Sequence, residues 1–129
     1  LYYEIQEPIG ADSPHEITGS ERTKTYVRVF PAKPLVGPNE PQSVFIVVQD
    51  QLFHPIPGAQ VLVSVIYPDG TQNGPSRLKD STDANGIAQS DEISTDGVLP
   101  NQFVKVVVEV QTSPAEPSVS VTTWFRVWW

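Results

Sequence analysis

The 129 residues contain no cysteine and no methionine. Without cysteine no disulfide contributes to stability and no thiol nucleophile is available. The compartment stays open, because cytosolic proteins and disulfide-free bacterial surface modules share this composition. Basic residues are scarce: eight lysines and arginines against fifteen aspartates and glutamates give a formal net charge of −7. That average field repels a phosphate backbone and no Lys/Arg cluster offsets it, so nucleic-acid binding is not expected. No apolar run approaches the roughly 20 residues that a membrane helix needs, and no basic segment leading into an apolar one opens the chain, so membrane insertion is not expected. A start at Leu1 rather than methionine suggests a piece of a longer protein. Helices are missing too. Thirteen prolines and eight glycines interrupt every stretch in which an apolar face at helical period could develop.

What remains is valine, threonine and aromatic residues, the types that fit a pleated, half-buried surface. Their spacing is two. Val61, Val63, Val65 and Tyr67 share one face of the run from Gln60, and Val104, Val106, Val108 and Val110 share one face of Phe103 to Gln111, opposite Lys105 and Glu109. Val44, Ile46 and Val48 form a third such row, and Val119, Val121, Thr123, Phe125 and Val127 a fourth. This alternation marks strands with one side in a core. Tyr26 to Phe30 reads as a first strand ended by Pro31 and Pro34. Pro55-Ile56-Pro57-Gly58, Pro68-Asp69-Gly70, Asn85-Gly86 and Asp96-Gly97 separate the runs as turns, and Asp83 to Gly86 reads as the close of a hairpin between Ser76–Thr82 and Ile87–Ile93. The expectation is an all-β, immunoglobulin-like β-sandwich of about seven strands with Greek-key order and no significant helix, spanning residues 26–129. Residues 1–25 are polar and turn-rich and read as an arm or linker, with Leu1 to Ile5 as a possible edge strand.

Val47-Val48-Gln49-Asp50, Pro55-Ile56-Pro57-Gly58-Ala59-Gln60-Val61, Pro68-Asp69-Gly70 and Thr82-Asp83-Ala84-Asn85-Gly86-Ile87-Ala88 together resemble bacterial immunoglobulin-like modules of the invasin/intimin kind, and more distantly macroglobulin-type sandwich domains. The resemblance covers roughly residues 26–127 and its motifs are structural. It implies tandem extracellular arrays acting as spacers or adhesive stalks on a cell surface, and it assigns no functional residue. The prolines between residues 31 and 41 and the terminal Trp128-Trp129 depart from that pattern.

Chemistry is thinly represented. There is no Gly-x-Ser-x-Gly elbow, and His15 and His54 are the only histidines to serve as a general base. Both fall in polar or proline-rich loops, so catalysis is not expected and no cofactor is implied. Ser81, Asp83, Asn85, Ile87, Gln89 and Glu92 fall at positions 1, 3, 5, 7, 9 and 12 of a calcium-loop frame, with Gly86 at position 6. Serine at position 1 removes a charge, and turn chemistry alone accounts for Asn85-Gly86, so a metal site is not favoured. Lys24, Lys33, Asn39 and Asn101 raise the idea of a Lys–Asn isopeptide staple as in pilin-type sandwiches, without partners in defined core positions. The strongest candidate is the last strand, where Trp124, Arg126 and Trp128 alternate with Phe125 and Val127 and so face outward together. Two functions fit that face. One is a structural or adhesive module contacting neighbouring domains of the same polypeptide, or a protein surface. The other is a carbohydrate-binding accessory domain of a secreted polysaccharide-acting enzyme.

Overall fold

The computed structural model describes residues 24–37 and 39–128. Eight strands are present among them and no helix: β1 (Thr25–Pro31), β2 (Leu35–Val36), β3 (Val44–Asp50), β4 (Gln60–Ile66), β5 (Gln72–Arg77), β6 (Ile87–Gln89), β7 (Gln102–Gln111) and β8 (Val119–Val127). One sheet has the order β1-β3-β6 and the other β2-β8-β7-β4-β5, which makes the all-β sandwich expected from the spacing. The first strand begins at Thr25, one residue before the expected boundary, while Leu1 to Ile5 and His15 lie outside the described residues.

The four valine-rich rows meet in the middle. Val44, Ile46 and Val48 from one sheet and Val61, Val104, Val106, Val108, Val110, Phe125 and Val127 from the other are all but inaccessible to solvent. Alternation explains which side chains enter, and register explains which ones touch: Val106 opposes Val65 on one side and Thr123 on the other. Burying an aliphatic or aromatic side chain of this size contributes roughly 1.5–3 kcal/mol, so these rows carry most of the fold.

Three buried polar side chains replace ladder bonds where strands stop. The Gln42 carboxamide oxygen accepts the N–H groups of Lys33 and Ser43, both at 3.1 Å, and its amide donates to the Lys33 carbonyl, pinning the proline-rich segment between β1 and β3. The Ser90 hydroxyl accepts the Val44 N–H at 2.9 Å just past the end of β6. The Thr82 hydroxyl accepts from Ala59 N–H at 2.9 Å and donates to the Ile56 carbonyl at 2.7 Å. It therefore ties the Pro55–Ala59 corner to the Thr82–Gly86 turn.

That turn is not the hairpin its residues suggest. β5 lies in the five-stranded sheet and β6 in the three-stranded one, so Asp83 to Gly86 connects two sheets. Locally it still has turn chemistry, with Asp83 Oδ1 accepting the N–H groups of Asn85 and Ile87 at 2.8 and 3.0 Å.

Surface carboxylates organise other loops. Asp50 accepts the N–H groups of Leu52 and His54 at 2.8 and 2.9 Å, which holds its pKa below the ordinary aspartate range, the His54 N–H being the largest cause. Glu40 is lowered by the Gly37 N–H, 2.6 Å away, and by the Lys33 ammonium at 3.1 Å. Asp69 is lowered by the Thr71 hydroxyl and N–H. A carboxylate with a depressed folded-state pKa stabilises the fold above its unfolded-state pKa, and the effect is lost as pH falls through the folded value. The melting temperature is therefore expected to hold from neutral pH to about 5 and to decline below about 4. In Asp50→Asn the decline should be shallower, as followed by circular dichroism melts across that range.

Candidate interaction surface

The outer face of the five-stranded sheet carries the aromatic row. Phe125 and Val127 are buried at 1% and 0% exposure, and the strand geometry turns Trp124, Arg126 and Trp128 the other way. Trp124 is 54% exposed and Trp128 49%, with the Arg126 guanidinium 5.9 Å from the centroid of the Trp128 ring, in cation–π range. Arg126 Nη1 also donates to Asn101 Oδ1 at 3.4 Å.

Cross-strand register enlarges the face. Arg126 stands between Leu35 of β2 and Phe103 of β7, while Trp124 opposes Lys105, which opposes Ile66 of β4. Leu35 and Phe103, both exposed, thus extend the row into a patch two to three strands wide. The spacing along β8 alone reveals neither. The sequence signal for Phe103 is its parity with Lys105 and Glu109, the outward row of β7.

A cleft of about 480 Å³ opens at the end of the sandwich where β7 begins, between the β4–β5 connection and the loop before Gln102, and none of the aromatic-row residues lines it. Tyr67, Asp69, Asn73, Asp96, Leu99 and Gln102 line it. The Tyr67 hydroxyl donates to the Ser94 carbonyl at 2.8 Å, and burial together with the Asp96 carboxylate pushes its pKa up. A smaller cleft of about 300 Å³, with Glu40, Glu92 and Asp96 in its wall, also includes Thr95. The Thr95 hydroxyl is buried and unpaired among the described residues.

The remaining candidates do not converge. Of the calcium-loop residues, Asp83 spends its Oδ1 on two backbone N–H groups, and the Ile87 carbonyl accepts the Asp83 N–H at 2.9 Å. The Gln89 amide donates to the Ser43 hydroxyl at 3.0 Å, Ser81 is exposed, and the extended strand β6 carries Glu92 away from Asp83. Among the described residues no three histidine or acidic side chains are grouped to hold a metal ion. Lys33 pairs with Glu40 at the surface, Lys24 and Asn39 are exposed, and Asn101 meets Arg126, so among the described residues none of these lysines stands beside one of these asparagines inside the sandwich. His54 is exposed, 3.5 Å from Asp50.

No family model matches the chain, and no curated protein matches it. Among solved structures the chain is similar to a β-glucosidase from Listeria innocua in complex with gluconolactone, with a TM-score of 0.46 and 11% identity. The match covers 82% of this chain and 16% of the glucosidase chain.

Proposed function

We propose that this chain is a non-catalytic structural and interaction module, a spacer or adhesive stalk domain of a larger extracellular or cell-surface bacterial protein, of the invasin/intimin type. The observation that carries the reading is the exposed patch of Trp124, Arg126, Trp128, Phe103 and Leu35 on an otherwise regular sheet face. Contiguous apolar surface of this kind marks a contact. The reading is also supported by the placement of the strands. Thr25 lies at the Asp50 end of the sandwich and Val127 at the Gln102 end, so the first described strand starts and the last one stops at opposite ends, an arrangement that suits serial modules.

A second reading, a carbohydrate-binding accessory domain, is favoured by one specific feature. Two half-exposed indoles on the outer face of a sheet suit stacking against a sugar ring.

The double variant Trp124→Ala/Trp128→Ala separates the two. Because both rings are about half exposed, it should keep the wild-type circular dichroism spectrum and lose no more than about 1 kcal/mol per site. For the module reading, intrinsic fluorescence of the wild type should shift to the blue when the flanking domain of the native polypeptide is present, and that domain should bind the variant more weakly. For the second reading, soluble polysaccharides in a native gel should retard the wild type and not the variant. Neither effect appearing would remove the patch as a site.

A further inference from the structure

We propose that the free edge of β8 pairs with the same edge of a second copy of this chain, antiparallel about Val121, so that two five-stranded sheets become one. β8 is nine residues long, yet among the described residues only its last part is engaged on the side away from β7: Arg126 N–H donates to Pro34 and Trp128 N–H to Val36, at 3.2 and 2.8 Å. Even-numbered residues of β8 thus point their backbone groups to that edge. Among the described residues nothing pairs with those of Ser120, Thr122 and Trp124. From Ser118 to Phe125 there is no charged residue and no proline, and Val119, Val121, Thr122 and Thr123 are β-branched. Natural edges are blunted by lysine, proline or bulges, and this one has none of them.

The second layer says what kind of mate fits. β1 is the edge of the other sheet on the same side, lying close to β8, and the inward residues of both edges are only half-buried: Val27 and Val29 on β1, Val119, Val121 and Thr123 on β8. A lone strand added to β8 would extend one layer and leave Val27 and Val29 as they are. A second sandwich meeting edge to edge brings two layers, and a twofold axis at Val121 makes the surface self-complementary, with Ser120 opposite Thr122.

The test is sedimentation of the full 129-residue chain from the millimolar to the micromolar range. A concentration-dependent dimer is expected. Thr122→Pro removes an outward N–H that no described residue uses, and Thr122→Lys sets two like charges diagonally across the axis. Each should raise the dissociation constant about tenfold or more with an unchanged far-ultraviolet spectrum. Trp128→Ala should leave the dimer intact, which separates this edge from the aromatic patch. A wild type that stays monomeric overturns the proposal, as does a dimer that neither Thr122 variant weakens. Dimers that form only after residues 1–23 are deleted would assign the edge to the chain's own N-terminal segment, and that too overturns it.

Discussion

Gly86→Ala is expected to destabilise the domain by about 3–5 kcal/mol, seen as a fall in melting temperature of roughly 10–20 °C. Gly86 has φ of 73° and is buried against β3. A Cβ there would run into the carbonyl oxygen of Val48 and come within 3.0 Å of the Ile56 nitrogen and 3.1 Å of the Pro55 Cβ. None of these is the end of a flexible side chain. Relief would have to come from moving β6 off β3, and the Gly86 carbonyl is itself the acceptor for Val48 N–H at 2.8 Å. Gly58→Ala is the control. Gly58 has φ of 78°, as left-handed as Gly86, but a Cβ there meets nothing within 4 Å. It should cost only the backbone penalty, about 1 kcal/mol. Equal losses in the two variants would mean that close packing at Gly86 contributes nothing, and that the turn is held by φ alone.

The contrast shows what sequence could and could not carry. Asn85-Gly86 is legible as a turn because left-handed φ favours glycine, but the nearness of Gly86 to Val48 and Ile56 depends on strands far away in sequence. The same division runs through the fold. β3, β4 and β7 each bury one valine-rich row and β8 turns one inward, so period-two spacing announces them. β5, Gln72 to Arg77, is exposed at every position and contains Gly74-Pro75, so it has no apolar rhythm to read and exists as a strand because it bonds to β4. β2 is two residues inside a proline-rich segment, held parallel to β8. The turn from Asp83 to Gly86 reads as a hairpin because nothing local says that its flanking strands belong to different sheets. At the candidate surface, parity along one strand was enough to place Trp124, Arg126 and Trp128 together. Adding Phe103 and Leu35 required the registers of β8 with β7 and β2, which no single strand encodes.

Phe125→Ala is expected to cost about 3–5 kcal/mol, while Trp124→Ala, one residue earlier, costs about 1 kcal/mol or less. The difference follows from one rotation of the strand. Phe125 is 1% exposed, opposes Val104 and packs with the valines of β3 and β4, so truncation leaves a cavity in rows that cannot collapse without shifting strands. Trp124 projects from the outer face over Lys105, where its removal returns already wetted surface to water. The pair also tests the register of β8 itself, because a slip by one residue would exchange every inward side chain for an outward one. Such a slip would place Arg126 in the core unpaired, a charge whose burial costs several kcal/mol. Chemical denaturation of both variants decides it. A large loss for Trp124→Ala with a small one for Phe125→Ala would invert β8, bury the indoles and remove the contact patch built on them. The expected order keeps Trp124 and Trp128 on the surface, available to whatever that face binds.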